Sequence, residues 1–121
     1  MELERLPDRF SICQLRSAAD ADWSAPFCFF ARTDEELSLV CRTEDVPADT
    51  AAREDGWRGC RVRGTLDFSL VGILSGLTGV LAARGIGIFA VSTYNTDYLF
   101  VKAERFDEAM SALSDAGHTV L

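Results

Sequence analysis

A chain of 121 residues with 12 basic against 19 acidic side chains has a net charge of −7 and no cluster of Lys and Arg, which argues against nucleic acid as a partner. Hydrophobic residues make up 48% and no segment is low in complexity, so the whole chain is expected to fold around a real core. Its longest apolar stretch, Leu66 to Leu81, is broken by Asp67, Ser69, Ser75, Thr78 and three glycines and is no membrane span; with the acidic start Met1-Glu2-Leu3-Glu4-Arg5 unlike a signal peptide, a cytoplasmic protein is expected.

In chain order, Phe10-Ser11-Ile12-Cys13-Gln14-Leu15 alternates as a strand. Arg16 to Pro26 leaves room for a connection or one helical turn. Phe27 to Ala31 and Leu37 to Cys41 then flank the polar run Arg32-Thr33-Asp34-Glu35-Glu36, a hairpin pattern. Glu44 to Glu54, with Pro47 near its start, reads as a short helix ended by Asp55-Gly56-Trp57. A boundary falls near 56–59, giving a reduced module over 1–57 and a complete one over 58–121.

The second half is more regular. Cys60 to Leu66 suits a strand, and Asp67 or Ser69 offers a cap to a helix over Ser69 to Arg84, where Leu70, Ile73, Leu74, Leu77 and Leu81 recur at helical spacing before Gly85. Ile86 to Thr93 and Tyr98 to Val101 are β-branched and aromatic, joined by the polar turn Tyr94-Asn95-Thr96-Asp97. Glu104 to Ala116 repeats Phe106, Ala109, Met110 and Leu113 as a second helix, and His118 to Leu121 closes as a strand. The order βαββαβ predicts the ferredoxin-like α+β arrangement, an antiparallel sheet with both helices on one face.

Catalytic chemistry finds little footing. The only histidine, His118, stands on the last strand, away from any Ser or Cys nucleophile in sequence. Cys13, Cys28, Cys41 and Cys60 are scattered singly in apolar contexts, which predicts reduced, buried thiols and no metal site. Gly72, Gly76 and Gly79, with Ser69, make one smooth helical stripe, open either to close approach of another element or to a ligand at the first turn. The helix start presents unpaired N–H groups and a positive dipole end suited to a carboxylate, and Asp97 with nearby carbonyls offers a counterpart for an ammonium group; structural turn-capping by Asn95 and Asp97 is the alternative.

The run Gly85-Ile86-Gly87-Ile88-Phe89-Ala90-Val91-Ser92-Thr93-Tyr94-Asn95-Thr96-Asp97-Tyr98, with Leu66-Asp67-Phe68-Ser69-Leu70-Val71-Gly72 before it and Glu36-Leu37-Ser38-Leu39-Val40 in the first half, resembles the small bacterial tandem ACT-domain proteins related to the CASTOR arginine sensors. That resemblance implies two ACT modules holding an amino acid at their interface without a cofactor. It assigns contacts to Ser38 and Leu39 from the first module and to Thr93, Tyr94 and Asp97 from the second, with Asp97 on the α-ammonium group and Phe68, Ser69 and adjacent backbone on the carboxylate. Asn95 departs from the family, whose members often carry an acid there.

Together these readings predict a non-catalytic amino-acid-binding regulatory protein, homodimeric, acting on a regulated protein partner. A purely structural dimerisation module with a vestigial pocket is the alternative; an enzyme on the same scaffold is the least favoured.

Overall fold

The computed structural model describes residues 1–64 and 71–121. It divides the chain into two units, Asp8–Trp57 and the pair of segments Met1–Pro7 and Arg58–Leu121, so the first is an insertion, in sequence, within the second. Thr65 to Leu70 lie outside the described residues, and with them the predicted helix start at Ser69, its Asp67 or Ser69 cap and the last part of the strand expected over Cys60 to Leu66.

The inserted unit contains β2 (Phe10–Leu15), β3 (Cys28–Arg32), β4 (Leu37–Arg42) and the residues up to Trp57 of β5 (Ala52–Val62). Its strands are antiparallel in the order β3-β4-β2-β5. Cys13, Leu15, Leu39 and Cys41 alternate inward to form its core with Ala21. Where a first helix would stand there is one 3₁₀ turn, Ala18–Asp20, whose Ala19 N–H donates to the Ser17 hydroxyl.

The helix expected over Glu44 to Glu54 is not formed. A 3₁₀ turn at Thr43–Asp45 stops as Val46 becomes extended, the conformation that the following Pro47 demands, and by Ala52 the chain is already in β5. Pairing with β2, in which Cys13 faces Arg53 and Gln14 faces Ala52, overrides the helical composition of Ala51-Ala52-Arg53-Glu54.

A buried hydroxyl ties this unit together. Ser11 is wholly buried, donates to Asp55 at 2.6 Å and meets the Thr43 hydroxyl at 2.9 Å. That bond first, and the Arg53 guanidinium second, hold the Asp55 carboxyl below its ordinary 3.8. A carboxyl depressed in the folded state contributes stability that is present above its unfolded pKa and lost as pH falls through the folded value. Asp55→Asn should therefore lower the urea midpoint at neutral pH, with the gap to wild type closing below about pH 4. An equal gap at pH values on both sides of that range would refute the assignment.

The larger unit adds β1 (Glu2–Arg5), α1 (Ile73–Ala83), β6 (Ile88–Ser92), β7 (Asp97–Lys102), α2 (Phe106–Asp115) and β8 (Thr119–Val120). From Arg58 onward the order is βαββαβ, and the sheet runs β6-β7-β5-β1-β8. Relative to a four-stranded ferredoxin-like sheet, β1 is an additional strand between the first and last. It pairs antiparallel with β5 through Leu3 and Val62, Glu4 and Arg61, and parallel with β8. The sequence reading assigned no strand to these residues.

Leu3, Cys60, Val62, Leu99 and Val101 face the apolar sides of α1 and α2, represented by Leu77, Leu81, Phe106 and Leu113. Within the described residues α1 begins at Ile73 behind Gly72, whose left-handed φ of 79° suits only glycine. At Gly76 and Gly79 nothing among the described residues lies within 4 Å of where a Cβ would stand, so no other described element occupies that stripe.

One pattern links the two units. β3 and β6, β4 and β7, and the 3₁₀ turns after β4 and β7 recur at the same interval, from 28 to 88, from 37 to 97 and from 43 to 103. The registers agree pair for pair: Arg32 with Leu37 as Ser92 with Asp97, and Phe30 with Leu39 as Ala90 with Leu99. Both turns close alike, the Thr33 N–H on the Glu36 carbonyl and the Thr93 N–H on the Thr96 carbonyl, each at 2.9 Å.

Candidate functional site

The β6–β7 hairpin of the larger unit concentrates the polar groups that the sequence singled out. Its turn is pinned three ways. The Thr93 hydroxyl donates to the Thr96 carbonyl at 2.9 Å, the buried Thr96 hydroxyl donates to the Val62 carbonyl of β5 at 2.7 Å, and the Ser92 hydroxyl donates to Asp97 Oδ1 at 2.7 Å. Ser92 and Asp97 are directly paired across the strands, which places their side chains on one face. A turn so restrained holds the half-buried Asp97 carboxylate in a fixed position at little further entropic cost.

Successive strand residues point to opposite faces, so Asp97, like Leu99 and Val101, lies on the helix-bearing side while Tyr98 lies on the other. On that other side a cleft of about 300 Å³ is lined by Glu4, Arg61, Arg63, Thr93, Asn95 and Tyr98, together with Val62, Gly64 and Thr96. Arg61 anchors it. Its Nε donates to Glu4 Oε1 at 3.1 Å, its directly paired neighbour on β1, and its Nη1 to the Tyr98 hydroxyl at 3.4 Å. The Tyr98 contact and then the Glu4 carboxylate raise the pKa of the Arg61 guanidinium, so it stays charged.

Of the residues expected to hold a ligand, Thr93 lines this cleft, Asp97 faces the opposite side, and Tyr94 stands 79% exposed at the hairpin tip. Ser38 is half-buried on β4 of the inserted unit, between Gln14 and Ala31. Leu39 is buried in that unit's core, leaving only its backbone to meet a ligand. Phe68 and Ser69 lie outside the described residues. The sequence reading overlooked Glu4, Arg61, Arg63 and Tyr98 as a group. The alternation of Arg61 and Arg63 along one strand was visible, but Glu4 joins them only through the unassigned β1.

All four cysteines are free thiols, and burial pushes Cys41 and Cys60 up to about 12, which keeps both protonated and poorly nucleophilic at neutral pH.

Comparison with known proteins gives this geometry a context. A family model described as ACT domain matches residues 52–115, more than half the chain. A solved structure of an Agobacterium tumefaciens protein is similar with a TM-score of 0.87 at 34% identity, over 99% of this chain and 91% of that one. The fold is also that of an aspartate kinase from Clostridium acetobutylicum described as an allosteric enzyme, TM-score 0.67 at 13% identity, where the match spans 90% of this chain but 33% of the kinase. The alpha and beta subunits of an aspartokinase match with a TM-score of 0.67 at 14% identity, over 96% of this chain and 97% of that chain. No curated protein matches.

Proposed function

We propose an amino-acid-binding, non-catalytic regulatory role for this chain, which belongs to the ACT domain family. The observation that carries the reading is the Asp97 carboxylate, half-buried and fixed by the Ser92 hydroxyl at the base of a pinned hairpin. A carboxylate so placed is a ready partner for an α-ammonium group, from which it accepts a charge-assisted hydrogen bond. Phe68, Ser69 and the backbone leading into α1 would take the ligand's carboxylate.

Within the family, the hairpin Ser92-Thr93-Tyr94-Asn95-Thr96-Asp97-Tyr98 supports a kinship with the small tandem-ACT proteins related to the CASTOR arginine sensors. Tandem organisation is supported by the recurrence of hairpin, register and following turn from 28–45 to 88–105. A regulatory role is in keeping with the description of the aspartate kinase that shares this fold over 33% of its length as an allosteric enzyme. On this reading the protein is cytoplasmic and homodimeric, and ligand occupancy alters the surface it offers a regulated partner.

Calorimetric titration of the full chain with the common amino acids tests the proposal. One of them should bind, and Asp97→Asn should weaken it roughly tenfold to a hundredfold, the worth of a hydrogen bond to a charged group. Silence across the panel at millimolar concentration would reject it. The Ser92–Asp97 bond itself favours one second reading, in which the acid only fastens the turn and the protein is a structural dimerisation module. That reading expects an oligomer whose melting temperature no amino acid shifts.

A further inference from the structure

We propose that the cleft on the helix-free face of the larger unit is a second binding site, one for the oxyanion of a small metabolite, a carboxylate or a phosphate. It is distinct from Asp97, which faces the other side of the sheet.

The lining sets the ligand's charge. Among the described residues Arg61 and Arg63 present two guanidinium groups to the cleft and Glu4 the one carboxylate that lines it, with Glu2 pairing Arg63 from outside the lining, in a chain whose net charge is −7. Guanidinium groups gathered in one concavity can take up an anion through charge-assisted hydrogen bonds. Arg61 is preorganised, since Glu4 and Tyr98 hold its side chain in place and leave it 34% exposed. Arg63 is the adaptable member: it is 53% exposed, and its ion pair with Glu2 Oε1 stands at 3.6 Å, longer than a hydrogen bond. Guanidinium forks match the paired oxygens of carboxylate and phosphate, and Asn95 and Thr93 add an amide and a hydroxyl at the rim.

Size restricts the class further. At about 300 Å³ the cleft stands at the small end of ligand pockets, room for a compact acid and too little for a dinucleotide or a folded partner. Glu4 then has a definite part. Its carboxylate sits where a ligand oxyanion would sit on Arg61 and competes with it. Removing that charge strengthens binding of an oxyanion, whereas it would weaken binding of any ligand that used Glu4 to hold an ammonium group.

Isothermal titration of the full chain at low ionic strength, with succinate and inorganic phosphate as separate probes, distinguishes the two sources. At least one probe should titrate, with affinity falling about tenfold in Arg63→Gln, as for loss of one charge-assisted contact. Affinity should rise in Glu4→Gln, fall as salt is added, and remain unchanged in Asp97→Asn. Because Arg63 is exposed, its variant keeps the fold, which circular dichroism verifies. Silence of both probes at millimolar concentration, unchanged affinity in Arg63→Gln, or weaker binding in Glu4→Gln would each overturn the proposal. Loss of amino-acid binding in Asp97→Asn with oxyanion binding intact would separate the two sites.

Discussion

Phe106→Ala should lower the stability of the protein by about 3–5 kcal/mol, the range for deleting a buried phenyl ring. Phe106 opens α2, is 1% exposed and packs in the same core as Leu81, Val101 and Leu113. Its ring also carries the Arg58 guanidinium at 4.0 Å from the centroid. Arg58 Nη2 donates to the Leu6 carbonyl at 3.2 Å, while its buried Nε has no hydrogen-bond partner among the described residues, so the aromatic face is part of what offsets the cation's desolvation. Phe106→Leu restores apolar volume but not the quadrupole and should recover most, though not all, of the loss. Chemical denaturation of both variants measures this; a cost below about 1 kcal/mol for the alanine variant would show that the core closes over the gap.

Gly59→Ala should destabilise by about 1–3 kcal/mol although it adds one methyl group, because there is nowhere for that group to go. A Cβ at Gly59 would stand 2.7 Å from two atoms of the Phe100 ring and 3.1 Å from the Leu99 carbonyl oxygen. Phe100 cannot easily yield, being wholly buried and stacked on Phe89 with centroids 4.7 Å apart. The double variant with Phe100→Leu should cost less than the sum of the two single changes, since the smaller side chain removes the clash. Strict additivity in that cycle would mean the ring is not what excludes the methyl.

The regions the sequence disclosed best are those whose signals are local. The β6–β7 hairpin was legible because β-branched and aromatic runs enclose four polar residues, and α2 because Phe106, Ala109, Met110 and Leu113 keep helical spacing through its length. Glu44 to Glu54 misled because its composition favours a helix while its fate is decided by β2, whose Ile12, Cys13 and Gln14 pair with Glu54, Arg53 and Ala52 from far earlier in the chain. β1 left almost no trace, for only Leu3 of its four residues is buried and its pairing partners lie at 60–62 and 119–120. The site divides in the same way. Thr93 and Asp97 belong to the hairpin and were found with it, whereas the cleft is assembled by register between strands far apart in the chain, which no window of sequence contains.

The placement of β1 also dictates when the larger unit can finish folding. Its strand bonds to residues near the other extreme of the sequence, with the Leu121 N–H on the Leu3 carbonyl at 2.7 Å and the Thr119 N–H on the Met1 carbonyl at 2.9 Å. During synthesis β1 must therefore wait, unpaired on that side, until Thr119 and Val120 have been added, while residues 8–57 have all their own strands in hand much earlier. Sequence separation of this order slows the closing step, and a ribosome-stalled chain ending before Thr119 would hold a finished inserted unit and a larger unit still lacking β8.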